Sequence, residues 1–185
     1  MTVKTLVIAL SGPNASGKST LSCQLQDGYE QEGKTCLIIR NDEIRLIEYP
    51  YEKHLEKFPQ DGYWAYVDYF IGIVAARVAE NIGRKDVIIV DAGLGSADYR
   101  RIIEQAAVTN GAKIIGLRFL VSIDTCRERL LSRKGDISDA TLENLEIQRK
   151  KDFGAYSGYW HEIDAEQGAA GVLQQARNII AERFL

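Results

Sequence analysis

The chain has 185 residues, 45% of them hydrophobic and 26% charged. That composition fits a folded globular domain with a full core and excludes a disordered, collagen-like or disulfide-stapled miniature protein. Its 23 Lys and Arg against 26 Asp and Glu leave a net charge of −3, so no whole-molecule positive field draws it to nucleic acid or anionic lipid. The apolar run over residues 5–10 stops at Ser11, too soon for a signal peptide or a membrane span. Cys23, Cys36 and Cys126 are widely spaced and match no metal or redox pattern. The expectation is one cytoplasmic domain over residues 1–185, with reduced, buried thiols and no membrane attachment.

Strand-like apolar runs alternate with helical periodicity along the whole chain, as in βαβ units with a mostly parallel sheet. Residues 5–10 (TLVIAL) predict a first strand and residues 18–31 a first helix, in which Leu21 and Leu25 lie one turn apart. A second strand over 36–39 (CLII) leads into a short helix over 42–47. Pro50 and Pro59 make residues 49–62 read as irregular. Val67, Phe70, Ile71, Val74, Val78 and Ile82 then recur at three- and four-residue steps, describing a long amphipathic helix that Gly83 closes. Residues 87–90 (VIIV) form a short buried strand ending in Asp91, followed by a helix over 97–110 and a strand over 113–120. A helix over 124–133, a charged turn over 134–139 (KGDISD) and a helix over 140–152 come next, then a last strand over 160–163 and a terminal helix over 167–184. Five strands with helices between them predict a three-layer α/β fold. Ligands in such sheets sit outside the carboxyl ends of the strands, so Ser11, Arg40, Asp91 and Val121 should converge on one crevice.

Directly after the first strand stands Gly12-Pro13-Asn14-Ala15-Ser16-Gly17-Lys18-Ser19, a complete G-x-x-x-x-G-K-[ST] followed by Thr20. Its two glycines let the backbone turn so that successive N–H groups face one concavity, an anion nest extended by the positive end of the following helix. Lys18 adds a full charge for β- and γ-phosphates, and the Ser19 hydroxyl suits Mg²⁺. Residues 12–20 are thus the expected binding loop for ATP with Mg²⁺. Asp91, at the end of VIIV, is the expected second Mg²⁺ residue, usually acting through its water.

The residue after Asp91 is Ala92, where motor-type ATPases generally carry a water-activating Glu, and no N-K-x-D guanine-reading motif occurs. Both features turn the reading from hydrolysis and guanine-nucleotide switching toward transfer. Transfer to a hydroxyl needs a carboxylate near the γ-phosphate and a mobile cationic cover. Asp42, just past the second strand in Arg40-Asn41-Asp42-Glu43-Ile44-Arg45, is the candidate base, with Arg45 on the same side of the short helix. Arg129 and Arg133, one helical turn apart beside the turn-rich Lys134-Gly135-Asp136, are the candidate arginines of a lid over about residues 127–141.

The segments GPNASGKST, NDEIR, VIIVDAG and RERLLSRKGDISDAT together resemble the P-loop kinases related to adenylylsulfate kinase, gluconate kinase, chloramphenicol phosphotransferase, polynucleotide 5′-kinase and the zeta-toxin kinases. They are spread over most of the chain in that group's order. The resemblance implies that Asp42 serves as catalytic base or hydroxyl anchor, that Arg45 assists the substrate, and that Arg129 and Arg133 belong to the lid. The Asp-Gly-Phe-Pro-Arg signature of adenylate kinases is missing after the central strand, which argues against a nucleoside monophosphate acceptor.

Tyr49, Tyr51, Phe58, Tyr63, Trp64, Tyr66, Tyr69 and Phe70 crowd the stretch beside Asp42, the natural place for an acceptor pocket. Tyr63 and Trp64 are the candidate ligand contacts; Phe70 belongs to the apolar stripe of the long helix. His54 and His161 have no metal-spaced partners and read as structural. The reading is an ATP-dependent kinase acting on a small-molecule hydroxyl. The alternatives are a kinase of nucleic-acid 5′-hydroxyls, whose bases would stack on those aromatics, and a regulatory module that binds nucleotide without transfer.

Overall fold

In the computed structural model, which describes residues 5–132, 141–149 and 154–184, the side chains of 63, 64, 144 and 147–149 excepted, the apolar runs become five strands. These are β1 (Leu6–Ser11), β2 (Cys36–Arg40), β3 (Val87–Asp91), β4 (Lys113–Leu120) and β5 (Trp160–Asp164). They pair in the order β2-β3-β1-β4-β5 and every pairing is parallel. The chain leaves central β1 toward β2 and β3 on one side and β4 and β5 on the other. The carboxyl end of β1 is therefore the switch point where such sheets leave a crevice.

Both faces of the sheet are covered, which is why the strands read as unbroken apolar runs. Val7 and Ala9 of β1, with Ile88 and Val90 of β3, pack on one side against α4 (Tyr63–Asn81) and α5 (Ala97–Thr109). Ile8, Leu10, Val87 and Ile89 face the other way, onto α1 (Lys18–Gln31) and α8 (Gly168–Phe184). The stripe anticipated for α4 does this work, with Phe70, Ile71, Val74 and Val78 all buried.

Two local expectations are corrected. Residues 49–62 are not irregular throughout: α3 (Tyr51–Lys57) forms between the prolines. Pro50 sits at the N-cap in an extended conformation, where a missing N–H costs nothing, and Pro59 falls just beyond the C-cap Phe58, so the prolines bracket a helix rather than prevent one. The short helix after β2 is α2 (Asn41–Glu43), which widens into a π-helical turn over Ile44–Glu48. Tyr49 N donates to Ile44 O at 2.7 Å, and the buried Tyr66 hydroxyl lies 3.1 and 2.9 Å from the Arg45 and Tyr49 carbonyls, bonding to backbone that the widened turn leaves available. The thiols also differ from expectation: Cys36 and Cys126 are buried, but Cys23 is exposed and accepts a hydrogen bond from Arg40 at 3.2 Å.

After β4 come α6 (Ile123–Ser132) and α7 (Leu142–Arg149). The Ser122 hydroxyl accepts from Thr125 N at 3.1 Å, capping α6. Arg127 pairs with Asp124 at 2.9 Å and reaches Glu146 of α7 at 2.7 Å, linking the two helices at the surface. The predicted turn over 134–139, and Arg133 beside it, lie outside the described residues. Among the described residues no helix is long and apolar enough to cross a membrane.

Candidate nucleotide and transfer site

The loop over residues 12–17 leaves β1 and ends where α1 begins at Lys18. A Cβ on Gly12 would stand 2.8 Å from Phe119 Cβ, so the loop can press against the end of β4 only with glycine there. Gly17, at φ 101°, and Ala15, at φ 61°, both occupy the left-handed region, a backbone sequence of the kind that turns N–H groups inward. Ala15 tolerates it because it is buried against Cys126 and Leu145, which ties the loop to α6 and α7. Lys18 Nζ donates to Gly12 O at 2.9 Å and Pro13 O at 2.8 Å. Its ammonium thus lies folded across the loop mouth on carbonyls that a polyphosphate would readily outbid.

Asp91 is 7% exposed at the end of β3, paired in register with Leu10 and Arg40. The Ser22 hydroxyl is 3.3 Å from its Oδ2. Burial pushes its carboxyl above the usual carboxylate range; the Lys18 charge and the Ser19 and Ser22 hydroxyls oppose this, while the Asp42 charge adds to it. Lys18, Ser19, Asp42 and Asp91 therefore share one field. Among the described residues no three His, Cys, Asp or Glu side chains are placed to hold a metal by themselves. One hydroxyl and one carboxylate that prefers a nearby cation match Mg²⁺, which keeps waters and phosphate oxygens as its other ligands.

A carboxyl whose folded pKa lies above its unfolded value binds more protons when folded, so stability falls as pH rises through the window between the two values. Ionised Asp91 is therefore a burden on the free protein above that window. We expect Asp91→Asn to raise the unfolding midpoint of the nucleotide-free protein at neutral pH, at about 2–4 °C for each 1 kcal/mol relieved, and to flatten the decline from acid to neutral pH. The same variant should lose the extra stabilisation by nucleotide that depends on Mg²⁺. Thermal unfolding scans at several pH values, with and without MgATP, check both parts.

On the β2 side, Arg45 Nη2 lies 3.4 Å from Asp42 Oδ1, the Arg45 side chain being 13% exposed and that of Asp42 32%. Arg40 pairs with Glu43 at 3.1 Å. The neighbouring ring and apolar side chains divide into two groups. Tyr66 and Phe70 are core, and His54, fully buried among Tyr49, Phe58, Tyr66 and Tyr69, lies 2.8 Å from Asp61, the structural role anticipated for it. Tyr69 and Ile47 remain substantially exposed. The side chains of Tyr63 and Trp64, which open α4, lie outside the described residues.

Beyond the loop, a cleft of about 340 Å³ opens between α1, α6 and the start of α8, lined by Ala15, Thr20, Leu21, Arg129, Ala165 and Val172 among others. Arg129 spans its edge, donating to Ser16 O at 3.3 Å and Ala165 O at 2.8 Å. It therefore lies against the phosphate loop; Arg133, the other arginine expected in a lid, lies outside the described residues. Hollows of about 380 and 430 Å³ open among Ile114, His161 and Arg183, and among Leu6, Asp86 and Arg177. Both lie toward the amino ends of the strands, away from the crevice where such sheets hold their substrates.

Sequence reasoning missed the residues contributed to the cleft beyond the loop by Ala165, just past β5, and by α8, for which Gly168 at the head of the last helix was the local hint. It also missed Arg100, an α5 residue 1% exposed. Arg100 donates to Leu94 O at 3.1 Å and Ala155 O at 2.9 Å and lies 3.7 Å from the Tyr156 ring centroid. The Tyr156 hydroxyl is in turn 3.2 Å from Ser11 Oγ. These contacts join the loop after Asp91, the chain following α7 and the last residue of β1, and no periodicity or motif announces them.

A glycine-rich loop, a buried acid on the adjacent strand and a cleft beyond the loop, all at the carboxyl ends of a parallel sheet, define a P-loop nucleoside-triphosphate fold. The chain belongs to the AAA domain family, whose model matches residues 7–152. The fold is similar to that of Chaetomium thermophilum Kti12 in complex with ADP-AlF3, at 18% identity over 95% of this chain and 97% of that one, with a TM-score of 0.69. It is also similar to the Mycobacterium tuberculosis APS kinase CysC in complex with AMPPNP and APS, at 11% identity over 96% of each chain and a TM-score of 0.63. A gluconokinase from Sinorhizobium meliloti 1021 matches at 17% identity over 98% of each chain, with a TM-score of 0.61. No curated protein matches the chain.

Proposed function

We propose that this protein is a cytoplasmic, ATP-dependent phosphotransferase that moves the γ-phosphate to a hydroxyl of a small molecule. The observation that carries the reading is that Lys18 and Ser19 open α1 beside the buried Asp91 at the end of β3, close enough to the partly exposed Asp42 carboxylate for the charges to interact. The loop backbone over residues 12–20 cradles the phosphates, and Lys18 leaves its carbonyl partners to meet the β- and γ-oxygens. Ser19 and Asp91 hold Mg²⁺, which supplies positive charge to the phosphate oxygens. Asp42 accepts the proton of the acceptor hydroxyl as that oxygen bonds to the γ-phosphorus; the bond to the β,γ-bridging oxygen breaks and ADP leaves. Arg45 orients Asp42, and Arg129 and Arg133 neutralise charge from the lid side. Ala92, in place of a water-activating Glu, favours transfer over hydrolysis.

Similar folds named as an APS kinase and a gluconokinase, and similar structures holding AMPPNP or ADP-AlF3, support this reading. The test is incubation with γ-labelled ATP, Mg²⁺ and a metabolite extract, with identification of the labelled product. Label in a small alcohol is the expected result. Label on oligonucleotide 5′ ends would make the protein a nucleic-acid kinase, and nucleotide binding with no labelled product would make it a regulatory module.

A further inference from the structure

A cavity of about 430 Å³ opens where the end of α1 and the last turns of α8 meet the first residues of β1 and β3, at the end of the sheet remote from the transfer site. Leu6, Leu25, Ile180 and Phe184 give it an apolar wall. Of the charged side chains bordering it, Lys34 pairs with Glu32 at 2.8 Å, and Asp86 accepts from Thr35 N at 2.7 Å and Thr35 Oγ1 at 2.8 Å. Arg177 is the exception: among the described residues its guanidinium has neither a hydrogen bond nor an ion pair. The hydroxyl of Tyr29, which also lines the cavity, has no hydrogen bond among the described residues either. Burial, with the Glu32 charge, pushes the Tyr29 phenol up to about 12, so it remains a proton donor, while the Arg177 charge opposes the shift. The two groups are therefore close enough to act together. Gly28 makes room for the guanidinium: it stands inside α1, where glycine is less favourable than alanine, and a Cβ there would stand 2.5 Å from Arg177 Nη2.

We propose that this cavity is a second ligand site, built for a small organic acid whose carboxylate accepts hydrogen bonds from Arg177 and the Tyr29 hydroxyl while its apolar body packs against Leu6, Leu25, Ile180 and Phe184. A guanidinium and a phenolic O–H, both donors, bordering an apolar cavity are the chemistry that recognises such a molecule. The Glu32 and Asp86 carboxylates bordering the same cavity repel a dianion more than a monoanion, which favours a carboxylate over a phosphate ester. The site shares no residue with the phosphate loop, Asp42 or Asp91, so it stands or falls independently of the transfer reading.

The test is titration calorimetry of the full chain at neutral pH with 2-naphthoate, its neutral amide 2-naphthamide, and 2-naphthyl phosphate. The parent is expected to bind 2-naphthoate at one site with a Kd on the order of 1 mM or tighter. The amide should bind at least about tenfold more weakly, as expected for loss of a charged hydrogen-bond partner, and the phosphate more weakly than the carboxylate. Arg177→Met, which keeps the apolar stem, should bring 2-naphthoate down to the level of the amide, and Tyr29→Phe should weaken it about three- to tenfold. Gly28→Ala should also weaken it, by displacing the guanidinium, while the unfolding midpoint stays level or rises because alanine is the better helix former. That combination separates loss of the site from loss of the fold. No saturable binding of 2-naphthoate, equal binding of acid and amide, or binding unchanged in Arg177→Met, which would put the acid elsewhere on the protein, would overturn the proposal. Tighter binding of the phosphate than of the carboxylate would overturn the ligand class assigned.

Discussion

Asp42→Asn should bind MgATP about as tightly as the parent and transfer phosphate 10²- to 10⁴-fold more slowly, the range spanned by loss of a general base. The substitution keeps the shape of the side chain and an oxygen that can still accept from Arg45, now 3.4 Å away, so the start of α2 and the π-helical turn have no reason to move. What is lost is the negative charge and basic lone pair that take the acceptor's proton. If Asp42 faces the acceptor, as proposed, nucleotide affinity is largely spared, and the defect should fall on kcat with a smaller change in KM for ATP. Steady-state kinetics on the labelled product, paired with calorimetric titration of MgATP, separate the two. Full activity in Asp42→Asn would remove Asp42 from the chemistry and leave Arg45 without a catalytic partner.

Lys18→Ala should abolish detectable transfer, a loss of at least about 10³-fold in line with removal of a principal charge-stabilising group, and should weaken nucleotide binding as well. In the free protein the Lys18 ammonium holds the Gly12 and Pro13 carbonyls, so its removal takes away a stabilising contact of the loop along with the phosphate partner. A second consequence follows at Asp91. The Lys18 charge opposes the upward push that burial exerts on the Asp91 carboxyl, so without it that carboxyl should be harder still to ionise and the Mg²⁺ requirement higher. Label transfer measured across a Mg²⁺ series tests this, and activity within tenfold of the parent would refute the role given to Lys18.

Much of the architecture was legible locally. The five strands and long helices fall within a residue or two of their expected bounds, because a strand buried on both faces is an unbroken apolar run and an amphipathic helix repeats every three or four residues. The phosphate loop was equally plain: residues 12–19 are contiguous, and their turn geometry follows from two glycines between a strand and a helix. Where local reasoning erred, at α3 and in the π-helical turn, the deciding partners came from elsewhere. Tyr66 bonds to backbone seventeen and twenty-one residues away, and proline marks an interruption without saying on which side of it a helix stands.

The order β2-β3-β1-β4-β5, the burial of Asp91 against Ser22 and the cleft beyond the loop were out of reach from the linear chain. Arg129 meets Ser16 across 113 positions and Ala165 across 36, pairings set by strand register and helix packing rather than by any pattern of neighbours. Short-range periodicity and turn chemistry thus established an α/β domain with a phosphate-loop sequence after its first strand. How its charges couple, and which groups line the cleft beyond the loop, came from long-range packing, because a side chain's field and partners depend on what the fold places beside it.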